Sequence, residues 1–505
     1  MISLLIFLPL VGALVAAFSR HAALSRWLTL AVSGVATLVS LGLWLGYDLV
    51  AGGFQYLQAY DWIPSVGIRY VVGLDGLSLP FVFLTALLTF VATLTEWKRT
   101  DSGFFALFLL LQAALTAVFT ALDLVLFFVA FELVLIPMFF IIGVWGYDRR
   151  RYAAVKFLLY SLVGSVFLFV ALLAAGFVAA EGGVVSFDYR DLVGNAALAA
   201  NTTTALLICL GFIVAFLIKL PAFPLHTWLP HAHTQAPTAG SILLAGVLLK
   251  MGGYGMIRFN IALFPDAMLT LQPLLATLAV VGILYGGFVA LGQTDLKQLI
   301  AYSSVNHMGF TLLGIASLTA FGVHGAVYQM VAHGVITGLL FMLVGMLSVR
   351  THTRTIAALT GMYTAMPVLG GLLWLAMLGG AGMPGLAGFV GEFQALLGAF
   401  QNPATTAFAA AAVIGILVNG ALMLWTIQRV LQGEPTTQMR ENYDLEDLGG
   451  LELAAAAPLV FLALLWGLWP PSLTPFIDAG VQPALQAIAN VSDLAGDLAG
   501  KVTGF

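Results

Sequence analysis

Four ionisable residues sit inside stretches otherwise apolar enough to cross a bilayer. They are Glu132 in "LFFVAFELVLIPMFF", Lys219 in "FLIKLPAFPLHTWLP", Lys250 in "TAGSILLAGVLLKMGGYGMIRF" and Glu392 in "GLAGFVGEFQALLGAF". A charge at membrane depth costs roughly 3 kcal/mol or more, so such residues usually face partners or water and usually function. Two lysines and two carboxylates suit proton transfer, because burial and nearby opposite charge push protonation equilibria in opposite directions. A buried pair of Glu132 with a lysine is therefore poised: breaking it releases the lysine's proton and forming it loads one. The plainer alternative is a static ion pair, or a lysine snorkelling from a helix end. Four such residues on four spans make that the weaker reading, and Lys250 lies midway along its span. His226, His307, His324 and His333 fall in or beside spans as well. Imidazole relays protons through either nitrogen near neutral pH, although a single buried histidine is more often a packing residue.

These residues need spans to hold them. The chain has 505 residues, 61% hydrophobic and 8% charged, with a mean hydropathy of +1.03. A soluble domain is about a quarter charged, so this composition predicts one integral membrane domain over residues 1–505. Hydropathy gives about fourteen spans, near 2–18, 27–47, 77–95, 104–120, 122–146, 155–180, 204–223, 237–259, 267–291, 298–319, 323–348, 363–383, 404–430 and 452–470. The odd-numbered loops hold Arg20, Arg26, Lys98, Arg99, Arg149, Arg150, Arg151, Lys156, Lys297, Arg350, Arg354, Arg429 and Arg440. The even loops and the tail hold Arg69, Arg190, Arg258 and Lys501. That asymmetry places the odd loops in the cytoplasm and both termini outside. The closing segment, 476–505, is too poor in apolar residues to span and reads as an external interfacial helix. The acidic run from Glu434 to Asp447 reads as a solvated loop, with a docking surface for a soluble partner as the sharper alternative.

Other functions are excluded by composition. A net charge of −4 with scattered basic residues argues against a nucleic-acid partner. Cys209 is the sole cysteine, which rules out an internal disulfide, a cysteine-ligated iron–sulfur cluster and a thiol zinc site. "HAH" at 231–233 beside His226 has no carboxylate nearby and reads as the turn before the eighth span, not a metal site. "GAGMPG" at 380–385 matches the dinucleotide glycine pattern but lacks its strand context.

Prolines account for the form of two spans. Pro221 and Pro224 cannot donate backbone hydrogen bonds, so the seventh span must break just after Lys219. Non-helical backbone at membrane depth survives only under cover of protein or water, and transporters build ion sites at such breaks. "LGGAGMPGLAGFVGEF" (378–393) repeats the device in the twelfth span, with Pro384 at the break and Glu392 after it. A break with a charge, recurring five spans later, predicts two inverted five-helix repeats, 103–260 and 267–430. The expected fold is an all-α membrane protein with helices seven and twelve broken.

The stretches "FELVLIPMFFIIGVWG", "RRRYAAVKFLLYSLVGSVFLFVA", "KLPAFPLHTWLPHAHTQAPTAGSILLAGVLLKMGGYGMIRF" and "DLKQLIAYSSVNHMGF" resemble the antiporter-like subunits of respiratory complex I, in their M type. The resemblance is strong from about 120 to 400 and weak at both ends. It implies a fifth-helix glutamate at Glu132, a lysine at the seventh-helix break at Lys219, a central lysine at Lys250, a terminal residue at Glu392, and relay histidines at His226, His307 and His333. Glutamate at the last position, where the L- and N-type subunits usually have lysine, favours the M type. So does a C-terminus ending soon after the fourteenth helix. The resemblance implies no redox centre in this chain, with FMN, iron–sulfur clusters and quinone in partner subunits. It also implies L- and N-type chains and membrane lipids as neighbours, and proton translocation driven by quinone reduction elsewhere. The Ala/Gly/Leu-rich composition suits a bacterial inner membrane, where the basic-loop asymmetry makes both termini periplasmic. A subunit of a multi-chain sodium/proton antiporter shares the fold and most of these motifs, and is the rival expectation. A purely structural membrane subunit is the other.

Overall fold

In the computed structural model, residues 1–180, 183–200, 202–436, 439 and 445–502 are described, with side chains through Val491. Arg440, the middle of the acidic run and the Lys501 side chain lie outside the described residues. Among the described residues, ten helices are long and apolar enough to cross a membrane, and four shorter apolar ones (Ile2–Phe18, Leu79–Thr95, Thr203–Lys219 and Pro367–Gly380) accompany them. Two of the four short helices are the first halves of the predicted broken spans. The seventh span is Thr203–Lys219 followed by Trp228–Gln235, and the twelfth is Pro367–Gly380 followed by Ala387–Gln401.

Burial sorts the helices by cargo. The helices covering Thr238–Ile261 and Ala320–Thr351 are enclosed all round, and Leu296–Ser317 almost so. Helices apolar on every face belong at the centre of a bundle, and these three carry Lys250, His307 and His333. The long helix Arg150–Ala180 instead turns Leu159, Val163, Val166 and Val170 outward, as a face against lipid or a neighbouring span does.

Interactions between loops support the predicted alternation of sides. Arg26 donates to the Trp97 carbonyl, Arg149 N–H to Gln235, Lys297 Nζ to Ala236 O (2.5 Å) and Arg354 to Thr234 O (2.9 Å), all among odd-loop segments. Arg69 and Arg190 both meet Asp188, and Arg258 meets Asp75, all on the opposite face. The amphipathic helix Thr474–Val502 lies on that second face, where Gly480 packs on Leu77 and Phe476 on Trp44 and Tyr47. Its Ile477, Val481 and Ala484 are buried against the bundle, so the first half of this helix docks on protein.

The helical membrane fold carries one addition: the loop after the second span forms an antiparallel hairpin, Gln55–Ile63 with Ile68–Leu74, turning through Pro64–Val66 and a left-handed Gly67 (φ 73°). Three expectations need correction. "HAH" is part of the second half-helix of the seventh span, not a turn, and His233 is buried with its ring stacked on Phe341 at 4.4 Å. Arg258 and Lys297, assigned to loops by hydropathy, are both buried. Arg258 makes a two-pronged ion pair with Asp75 (2.7 and 2.6 Å) inside a box of Phe54, Tyr189 and Tyr254 rings. Hydropathy alone sends any arginine near a span end to the loop, because its partner lies 183 residues away.

A candidate proton path through the bundle

The seventh-span break is built as the prolines require. Pro221 removes the donor due to Leu217, and Ala222 N–H takes that carbonyl instead (2.9 Å). The displaced Ile218 carbonyl is satisfied by the Trp228 indole N–H (2.9 Å) from the second half-helix. At the twelfth-span break, Pro384 withholds the donor due to Gly380. The Asn419 side-chain amide supplies it (2.7 Å). Each break therefore has one dedicated side-chain donor, in line with the rule that buried backbone groups are paired. Gly382 (φ 73°) and Gly385 (φ 93°) take the left-handed conformations the second break needs, where L side chains are strained. A Cβ on Gly382 would also sit 2.7 Å from Glu392 Oε2.

The fifth span is interrupted as well, between Leu124–Leu133 and Leu135–Trp145. Pro137 has no N–H for the Leu133 carbonyl, and the interruption falls two residues after Glu132. Two π-helical turns, Leu244–Leu248 and Met256–Ile261, flank Lys250. Such widened turns recur at functional sites. Here one of them presents the Ala245 carbonyl to Lys250 Nζ.

The predicted residues fall into two groups. In the first, Glu132 is half-buried and Lys219 fully buried, and two hydroxyls of the sixth helix stand between them. Ser165 donates to Glu132 Oε1 and to the Ser161 carbonyl (3.0 Å), while Lys219 Nζ donates to Ser161 Oγ (3.2 Å). The expected direct pairing of Glu132 with Lys219 is thus bridged by Ser161 and Ser165. Lys219 Nζ also lies 5.0 Å from the Phe131 ring centre and 5.4 Å from that of Phe157. His226, in the break, packs on Phe223 and Tyr285. Neither of its buried ring nitrogens has a hydrogen-bond partner.

In the second group the side chains touch in series. Lys250 Nζ lies 2.8 Å from His333 Nδ1, the His333 and His307 rings are 5.4 Å apart, and His307 Nδ1 lies 2.6 Å from Glu392 Oε1. Gln329 Nε2 also donates to Glu392 Oε1 (3.2 Å). A cavity of about 10 Å³ lies between His307, His333, Thr337 and the glycines of the twelfth-span break; one water needs roughly 10–15 Å³. The row Lys250, His333, His307, Glu392 is thus hydrogen-bonded at both ends, and its middle step runs between two imidazoles in ring contact, where His333 Nε2 has no hydrogen-bond partner.

The two groups meet at the seventh-span break. Gly252, one half-turn past Lys250, packs against it so closely that a Cβ would sit 2.4 Å from Phe216 O and 2.6 Å from Leu220 N. The helix carrying Lys250 can thereby approach the residues beside Lys219. Ser161, Ser165, Gln329, Asn419 and Trp228 were not singled out by sequence. The only signal for the serines is their i, i+4 spacing in "YSLVGSVF".

Fold and site together define a polytopic membrane bundle with two broken helices and a buried row of lysine, histidines and carboxylate. The family model described as "NADH:quinone oxidoreductase/Mrp antiporter, TM" matches residues 121–418. NADH-quinone oxidoreductase subunit M of Rhodobacter capsulatus is 42% identical, over 96% of this chain and 96% of that one. Among solved structures, a chain of respiratory complex I from Thermus thermophilus with bound NADH superposes with a TM-score of 0.86 at 33% identity, covering 97% of this chain and all of that one. A chain of the Mrp complex from a Dietzia species superposes at 0.83 with 20% identity, over 96% and 98% of the two chains, which shows the shared fold. The chain belongs to the NADH:quinone oxidoreductase/Mrp antiporter transmembrane family, among the M-type subunits of complex I.

Proposed function

We propose that this chain carries a proton across the inner membrane as the M-type subunit of an NADH:quinone oxidoreductase. The observation that supports it most is the buried row from Lys250 through His333 and His307 to Glu392, hydrogen-bonded at both ends with the two imidazoles in ring contact between them. Glu132, held through Ser165 and Ser161, keeps Lys219 charged. When a neighbouring L- or N-type chain draws Glu132 away, Lys219 gives up its proton toward Lys250. The proton passes to His333 and His307 and reaches Glu392, which releases it on the face carrying the C-terminal helix. His226 stands at the seventh-span break as a relay toward the cytoplasmic side.

In this reading the repeats 103–260 and 267–430 are the two halves of one path, each opened by its broken helix. FMN, iron–sulfur clusters and quinone belong to partner subunits, and this chain's work is done by side chains alone. Both termini face the periplasm, because the basic residues crowd the opposite face.

The test is Lys250→Ala in the assembled complex, reconstituted in vesicles and driven by NADH. The expected result is loss of pumping with the complex intact. Unchanged pumping would falsify the reading. Sodium-dependent transport in the same vesicles would instead favour the sodium/proton antiporter.

A further inference from the structure

Between Glu392 and the face it would discharge to lies one more titratable pair, His324 and Asp478. His324, on the eleventh helix, is buried. Its Nδ1 lies 2.7 Å from Gln394 Oε1 on the twelfth, and its Nε2 faces Asp478 Oδ1 at 3.4 Å. Asp478 belongs to the C-terminal helix Thr474–Val502 and is 63% exposed. These three residues come from three elements and make a step from the bundle interior to open solvent. Tyr328, stacked beside the imidazole, commits its hydroxyl to the Trp466 carbonyl.

The order along the bundle axis matters. The eleventh and twelfth helices run antiparallel: Gly322 meets Gly398, Gly325 meets Gln394 and Ala395, and Gly391 meets Gln329. His324 and Gln394 therefore share one level, and Gln329, Glu392 and His307 share the next level inward. Five residues separate His324 from Gln329, about 7.5 Å of rise at 1.5 Å per residue. Gln329 Oε1 stands buried on the inner level without a hydrogen-bond partner, and so does His324 Nε2 on the outer one.

We propose that His324, with Asp478, is the outlet through which the proton on Glu392 reaches the periplasmic solvent. Gln394 Oε1 accepts from Nδ1–H, so Nε2 is the basic nitrogen. The proton leaving the Glu392 carboxyl adds to Nε2, giving an imidazolium beside the Asp478 carboxylate. Asp478 then passes it to bulk water, and His324 returns to neutral. The titratable groups around His324 are Asp478 and Tyr328; Gln394 completes the shell. This inference rests on the translocation reading above, and deepens it by giving the C-terminal helix a part in release.

The experiment uses the purified whole complex in detergent, with NADH:quinone turnover as readout and free imidazole as the added probe. His324→Ala should slow turnover at least about tenfold, below the ~10²-fold that one well-placed acid–base group supplies. Millimolar imidazole should restore much of the loss while leaving the unmodified complex unaffected. Asp478→Asn, a change at an exposed position, should slow turnover about twofold, within that same acid–base scale. Wild-type turnover in His324→Ala would overturn the outlet, and so would a loss that imidazole does not rescue, since that marks a packing role. Should His324→Ala fail to assemble, His324→Gln keeps the volume and a hydrogen bond to Gln394, and its turnover decides the matter in the same way. Lys250→Ala runs in parallel. If it too leaves turnover intact, the translocation reading itself has failed; if it stops turnover while His324→Ala does not, only the outlet has.

Discussion

The two halves of the path join their charges by different chemistry. From Glu132 to Lys219 the bridge is two serine hydroxyls on one helix, whereas from Lys250 to Glu392 it is two imidazoles on two helices. A hydroxyl hydrogen-bonds a charge but does not hold a proton near neutral pH, while an imidazole does both. On the proposed function this is a division of labour, in which the first half senses and the second half conducts. Their surroundings agree with that division. Glu132 is half-buried, while His333 and Lys250 are enclosed.

Breaking the conducting half should have the largest effect. Glu392→Gln keeps the shape and the contact with Gln329 but removes the terminal acceptor, so pumping should fall by ~10²-fold, as for other essential acid–base groups. Proton uptake in reconstituted vesicles measures it. Glu132→Gln should cost about tenfold, because ~1.4 kcal/mol of lost electrostatic coupling corresponds to that factor. The same assay measures it, and an effect larger than that of Glu392→Gln would reverse the assignment of the two halves.

Gly252→Ala tests how the halves are joined. Its Cβ meets backbone on the seventh helix, so the helices must part at a cost of roughly 1–3 kcal/mol. A lower unfolding temperature of the detergent-purified complex should accompany slower pumping. The smallest effects belong to the serines. Ser161→Ala removes the hydrogen bond from Lys219, and Ser165→Ala removes those to Glu132 and to the Ser161 carbonyl. The double variant should cost less than the sum of the two, since both act on one bridge; strict additivity would show that the hydroxyls do not act as a unit.

Much of this was legible in the chain itself. Lys219, Lys250, Glu132 and Glu392 stand out because charge in an apolar span is rare, and Pro221 and Pro384 mark the breaks by what they cannot donate. The partners were harder to read. Trp228 and Asn419 look like ordinary span residues until the orphaned carbonyls of Ile218 and Gly380 are located. Serines are common in membrane helices, so Ser161 and Ser165 carry meaning only once Glu132 and Lys219 flank them. The hairpin escaped notice because hydropathy treats 48–76 as mere loop, although "QYLQAYDWI" and "IRYVVGL" on either side of "PSVG" have strand-forming residues about a turn. Arg258 and Lys297 were misplaced for a related reason: burial of a cation depends on distant partners, Asp75 for one and the Ala236 carbonyl for the other. Local sequence identifies which residues are costly to bury; tertiary contacts identify what offsets the cost.

The central claim is that the imidazoles conduct, and it is tested most directly at His333, which alone touches Lys250 along the row. The measurement is proton uptake per NADH oxidised in vesicles holding the complex with His333→Gln, a change that keeps a polar side chain beside Lys250 but cannot carry a proton. Uptake should fall by at least about tenfold, as loss of a proton-transfer group requires, while the complex stays assembled. Uptake at the unmodified level would contradict it.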